Sequence, residues 1–212
     1  MIEIISHRGL WKNKKDQNSL KSFKASLEGD FGIETDIRDF HGEIIISHNV
    51  PKKESGFITI DEFFELYNTF SSKPRLAINL KSDGLCLNLE EKILKYKIEN
   101  YFVFDMSIPE TLIYMNKNIR FFSRQSEFEK EPIFYENSAG VWLDQFKRNW
   151  IDDDTLLEHS LNGKDACIVS PELHGREYKT AWKKYRNIIK KNTHLNFIIC
   201  TDFPEKARSY FE

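Results

Sequence analysis

Short runs of β-branched and aromatic residues recur along the chain, separated by polar stretches whose apolar positions fall at helical spacing. The runs predict strands at 2–6, 32–37, 43–47, 76–80, 101–104, 119–122, 140–143, 166–169 and 196–200. Between most of them the periodicity predicts helices over 19–27, 60–70, 89–96, 109–115, 152–161 and 177–191. His41-Gly42, set between two β runs, predicts a tight hairpin turn, so one strand of the set is an added hairpin strand after the second. Strands that read as continuous apolar runs are those covered on both faces, which predicts a parallel sheet sheathed by helices. Eight such units favour a closed (β/α)8 TIM barrel over an open doubly wound sheet. Neither GxGxxG nor GxxxxGK[ST] follows any strand, which removes the usual reason for the open form. With no internal repeat, low-complexity stretch or linker, the chain is expected to be one domain, 1–212.

Composition narrows the classes of function. Of 212 residues, 40% are hydrophobic, 30% charged and 14% aromatic, a globular and not a disordered profile. A formal charge of −2 leaves no whole-molecule basic field, so nucleic acid is not an expected partner. Cys86, Cys167 and Cys200 have no metal-ligand spacing and read as thiols in a reducing compartment. No stretch approaches the roughly 20 apolar residues a membrane span needs, and no cleavable leader is evident. These features predict a cytoplasmic protein without stable membrane association. Lys183, Lys184, Arg186, Lys190 and Lys191 read as the solvated face of a helix that buries Trp182, Tyr185, Ile188 and Ile189.

In a barrel the chemistry lies where strands end, so the polar residues there are the candidates. The first strand ends in His7-Arg8, the second carries Glu34 and Asp36, the hairpin strand ends in His48-Asn49, and the next carries Asn79 and Lys81. Glu34 and Asp36, two apart on a strand, share one face. Like charges placed together demand a basic partner, a proton or a divalent cation. Mg²⁺ or Ca²⁺ suits carboxylate oxygens, with Asn79 adding an amide oxygen. The alternative is a structural ion network closed by Arg8, Arg38 or Lys81. Two histidines at strand ends can act as general base and general acid, while Arg8 and Lys81 balance phosphate charge. Glu172, His174 and Arg176, just past another strand, are candidates for recognising a sugar hydroxyl or a second phosphate.

The segments His7-Arg8-Gly9, Asn18-Ser19, "GIETDIRDFHGEIIISHN", "LAINLK" and "FIICTDFPEKA" together resemble the glycerophosphodiester phosphodiesterase family, from about residue 4 to about residue 207. The resemblance implies the barrel shared with phosphatidylinositol-specific phospholipases and divalent-cation-dependent hydrolysis of a small phosphodiester. It implies His7 and His48 as the acid/base pair, Glu34 and Asp36 as metal ligands, and Arg8 and Lys81 at the phosphate. The attacker in this family is water or a neighbouring substrate hydroxyl.

Two positions depart from the pattern. Where the family presents an acidic third ligand in E-x-K, this chain has Asn79-Leu80-Lys81, and the usual His-Asp is His48-Asn49. A phosphodiesterase of divergent substrate is therefore expected. The alternatives are a phosphoester-binding barrel without turnover and a lyase that stops at a cyclic phosphate.

Overall fold

The computed structural model describes residues 2–52, 56–192 and 196–212, which fall into two compact units. One unit comprises Met1–His7 with Phe122–Glu212, and the other Arg8–Phe121.

The first unit contains β1 (Ile2–His7), β6 (Phe122–Gln125), β7 (Gly140–Leu143), β8 (Asp165–Val169) and β9 (Phe197–Thr201), with helices α5 (Asp153–Leu161), α6 (Lys179–Lys191) and α7 (Pro204–Phe211). Its strands are all parallel: β1 pairs with β9, β9 with β8, β8 with β7 and β7 with β6. Registers such as Ile5↔Cys200 and Val169↔Cys200 bring the strand C-termini to a common level. The first turn of α5 is closed by Asp152, whose carboxylate accepts the Thr155 N–H at 3.0 Å. α6 buries Ala181, Trp182, Tyr185 and Ile188 while its lysines face outward, the amphipathic division its sequence predicts. Trp182 lies against Tyr178, Tyr210 and Phe211.

The second unit contains β2 (Gly32–Phe40), β3 (Glu43–Ile46), β4 (Leu76–Leu80) and β5 (Tyr101–Phe104), with α1 (Leu20–Glu28), α2 (Ile60–Asn68), α3 (Cys86–Tyr96) and α4 (Ile108–Asn116). β2 pairs in parallel with β4, and β4 with β5. β3 folds back antiparallel on β2 through His41-Gly42, with Phe40 opposite Glu43. Both loop residues have positive φ, 50° and 84°, as a two-residue turn matched to strand twist requires. Ser19 and Thr59 form capping boxes at the starts of α1 and α2, and Ser107 caps α4 with Pro109 in its first turn. Phe23, Phe63, Phe64, Phe102 and Phe104 are fully buried, each worth about 1.5–3 kcal/mol of apolar burial. No helix of the described residues is long and apolar enough to cross a membrane.

Strands β4, β5 and β7 have the predicted limits. The run at 119–122 does not form the expected strand: only Phe121 bridges to Val103, and β6 begins at Phe122. The polar sequence Ser-Arg-Gln conceals that strand from a hydrophobic count. α7 also lies outside the expected set, being short and lysine-containing, with Pro204 supplying its start.

Candidate active site

In the second unit, the turn after His7 is built on two successive positive-φ residues, Arg8 at 58° and Gly9 at 82°. Its backbone is fully engaged: Arg8 N–H donates to Glu34 Oε2 at 3.2 Å, and Arg8 C=O accepts from Asn18 N–H at 3.0 Å and from the Ser22 hydroxyl at 3.2 Å. A Cβ on Gly9 would stand 2.6–2.8 Å from Ser22, so glycine is required both by φ and by space.

That turn delivers the Arg8 guanidinium to Asp36, with Nε 2.8 Å from Oδ2. Lys81 Nζ lies 3.5 Å from Asp36 Oδ1 and 3.6 Å from Asp105 Oδ2. Asn18 donates its amide to Asp36 Oδ2 at 2.8 Å and accepts the Thr35 hydroxyl at 3.0 Å. Glu34 and Asp36 are both buried on β2, and opposite charge is what makes a buried carboxylate sustainable. Of the cations named from the sequence, Arg8 and Lys81 neutralise Asp36 and Arg38 does not.

Asn79 is the ladder partner of Asp36, so the two side chains emerge on one face. The Asn79 amide donates to Glu34 Oε1 at 3.4 Å. Asn79 Oδ1 is buried and receives no hydrogen bond, while Asp36 Oδ1 is met by the Lys81 ammonium at 3.5 Å. An unanswered amide oxygen next to two buried carboxylates is a hard-donor set, and the residue types fit a divalent cation that Glu34, Asp36 and Asn79 would hold. Among the described residues no cluster of three His, Cys, Asp or Glu side chains could hold a metal ion; here the third donor would be an amide. His48, exposed after β3, has Nδ1 2.9 Å from Asn49 Oδ1, so the asparagine in place of the usual aspartate still contacts the ring.

In the first unit, His7 Nδ1 lies 2.7 Å from Asp202 Oδ1, with side-chain exposures of 13% and 15%. Sequence reasoning missed Asp202 as a functional residue, although the rule of polar residues at strand ends points to the position directly after β9. Glu172 holds this turn: its carboxylate accepts the hydroxyls of Ser170 and Thr201 and the Asp202 N–H, the last at 3.2 Å. Burial raises the Glu172 carboxyl above the usual carboxylate range. Trp182 Nε1–H donates to Ser170 Oγ at 2.8 Å and so ties the α6 core to the same network.

His174 and Arg176 lie together after β8. His174 Nε2 is 2.5 Å from Asp144 Oδ1, and the ring lies tilted against Phe146 with centroids 4.7 Å apart. Arg176 donates to Gln145 C=O at 2.7 Å and Asn149 Oδ1 at 2.6 Å. Glu172 is thus brought to the Asp202 turn, while its two sequence neighbours are brought to the β7 end.

The sequence matches no family model, and no curated protein matches it significantly. Solved structures match over the whole chain. A candidate glycerophosphodiester phosphodiesterase from Galdieria sulphuraria aligns with 100% of this chain and 98% of its own, at 18% identity and a TM-score of 0.77. The glycerophosphodiester phosphodiesterase of Agrobacterium tumefaciens str. C58 aligns with 100% and 99%, at 13% identity and a TM-score of 0.67. A phosphodiesterase of Oleispira antarctica, in complex with the product sn-glycerol-3-phosphate, aligns with 98% and 96%, at 15% identity and a TM-score of 0.64. The chain thus has the fold of glycerophosphodiester phosphodiesterases, the (β/α)8 class expected from its sequence. At these identities the likeness is one of fold, and chemistry has to be argued from side chains.

Proposed function

We propose that the protein is a divalent-cation-dependent phosphodiesterase that hydrolyses a glycerophosphodiester or a related glycerol-phosphate diester. The observation that carries this reading is the unanswered Asn79 Oδ1 beside the buried carboxylates of its ladder partner Asp36 and of Glu34, a group flanked by Arg8 and Lys81. The shared fold with phosphodiesterases supports it.

Glu34, Asp36 and Asn79 would hold Mg²⁺ or Ca²⁺, which when bound draws electron density from a non-bridging phosphate oxygen. Arg8 offers a planar fork and Lys81 a point charge to the phosphate. His7 and His48 carry the protons: one takes the proton of the attacking hydroxyl as its oxygen bonds to phosphorus, and the other protonates the alcohol oxygen as its P–O bond breaks. Asp202 fixes the His7 ring by accepting at Nδ1. His174 and Arg176 are assigned to the alcohol portion of the substrate, and Glu172 to holding the turn that bears Asp202.

A second reading has its own observation. Asp36 already carries two cationic partners, and the third ligand position is neutral, which favours a barrel that binds phosphoesters without turnover. Phosphorus NMR of a panel of glycerophosphodiesters, incubated with protein and Mg²⁺ or Ca²⁺ and then with chelator, separates these readings. Appearance of a phosphomonoester that stops on chelation is the expected result. A cyclic phosphate as end product makes the enzyme a lyase, and unchanged spectra across the panel favour the binding barrel.

A further inference from the structure

We propose that Arg38 is a specificity residue that receives a second anionic group on the substrate, a carboxylate or phosphate carried by the alcohol portion. The proposal rests on the phosphate-handling reading of the β2 face and extends it to the identity of the ligand.

Strand alternation places Glu34, Asp36 and Arg38 on one face of β2. The cations of this face differ in their commitments. Arg8 is paired with Asp36, and Lys81 with Asp36 and Asp105. Arg38 has no carboxylate partner among the described residues. Its Nη2–H reaches the His48 carbonyl at 3.4 Å, and its Nε–H is buried and meets no acceptor. A buried donor without a partner is costly, and more so on a charged group. Nε–H and the adjacent terminal N–H form the edge of the guanidinium that matches two oxygens of a carboxylate or phosphate. The missing acceptor is therefore an oxyanion.

Position along the strand decides which oxyanion. Same-face residues are about 6.6–6.8 Å apart along an extended strand, so Arg38 stands one such step beyond Asp36 and two beyond Glu34. The scissile phosphate is already matched to Arg8 and Lys81. Arg38 is bonded instead to the backbone of His48, one of the two histidines assigned to proton transfer at the attacking hydroxyl and the leaving alcohol. A negative group further out on that alcohol meets the guanidinium, whereas a neutral alcohol leaves the orphaned N–H unanswered.

Calorimetric titration with two product-like probes tests this without requiring turnover. 3-Phosphoglycerate carries a phosphate and a carboxylate, and sn-glycerol 3-phosphate carries the phosphate alone. The expected result is that the wild type binds 3-phosphoglycerate about tenfold more tightly or better, the ratio one charge-assisted contact supplies. Arg38→Met should abolish that preference and leave glycerol 3-phosphate affinity unchanged, with Arg38→Gln as the second neutral variant should the first not fold. Arg38→Lys, with charge and no fork, should keep part of it. Equal binding of both probes by the wild type, binding of neither, or equal weakening of both in the neutral variants would overturn the proposal. A wild type that shows the preference and hydrolyses no diester would refute the proposed activity and leave this assignment standing.

Discussion

His7 and Asp202, separated by 195 residues in sequence, are joined through Nδ1 and Oδ1 at 2.7 Å. An imidazole bonded at Nδ1 to a carboxylate has its ring plane and its tautomer set. Asp202→Ala is expected to lower kcat by about 10²-fold, the low end of what a positioned acid or base contributes. KM should change little, because Asp202 contacts the histidine and not the phosphate. Asp202→Asn, which keeps an acceptor oxygen, should recover part of the loss. Nitrogen-15 NMR of His7 should show a fixed tautomer in the wild type and a mixture in the alanine variant. A fixed tautomer in both would remove the positioning role.

Asn79 and Glu34 make the second decisive contact. The amide of Asn79 donates to Glu34 Oε1 at 3.4 Å, and Asn79→Asp replaces that donor by a third carboxylate in a buried place. Without a cation the variant should melt several degrees below the wild type, since buried like charges repel. Millimolar Ca²⁺ or Mg²⁺ should raise its melting temperature by more than it raises that of the wild type, because binding to the folded state alone stabilises it. Differential scanning fluorimetry with and without chelator measures both effects. Indifference of both proteins to divalent cations would remove Glu34, Asp36 and Asn79 as a metal site.

The two units are unequally legible in the sequence. Glu34 and Asp36 can be placed on one face because a strand repeats every two residues, and the alternating β-branched Ile33, Thr35 and Ile37 mark the strand. The cations that neutralise Asp36 can be narrowed to three but not chosen. The choice depends on the positive-φ turn at Arg8-Gly9, a conformation that the glycine permits and the sequence does not announce. Glu172 reads as a ligand for substrate because a charged residue after a strand signals exposure. In the fold it faces Ser170, Thr201 and the Asp202 backbone, partners supplied by strand pairing of β8 with β9. Asp202 is hidden for the related reason that its partner is at the opposite end of the chain. Local periodicity thus locates strand ends, and long-range register decides what those ends touch.

Gly9 gives a prediction on stability. With φ at +82° and Ser22 atoms 2.6–2.8 Å from where a Cβ would stand, Gly9→Ala incurs both the left-handed backbone penalty and a clash with α1. The expected loss is about 2–4 kcal/mol. Thermal melting should fall by several degrees, and Arg8, whose carbonyl accepts from Ser22, should lose its registration with Asp36. Glycine to alanine at Gly42, where a Cβ would meet nothing within 4 Å, is the control for the backbone term alone. Equal destabilisation at the two sites would mean that the close approach to Ser22 contributes nothing.

His159 makes acid stability predictable in sign. It is 3% exposed, with Nδ1 2.9 Å from the Tyr135 hydroxyl and Nε2 2.8 Å from Gln125 Oε1. The amide oxygen can only accept, so Nε2 carries the proton and Nδ1 accepts from tyrosine. Burial holds the imidazole below its ordinary pKa of 6.5, against a smaller opposing effect of Glu158. The folded state thus favours the neutral ring, and the unfolded chain takes up the proton more readily. Stability from this residue is complete above the ordinary histidine pKa and is lost as pH falls through and below it, at about 1.4 kcal/mol per unit of displacement. Urea unfolding at a series of pH values between about 8 and 5, the range spanning that ordinary value, should show the decline. His159→Gln should flatten it while lowering stability at the alkaline end. A wild-type decline that persists unchanged in the glutamine variant would assign the acid sensitivity to other groups.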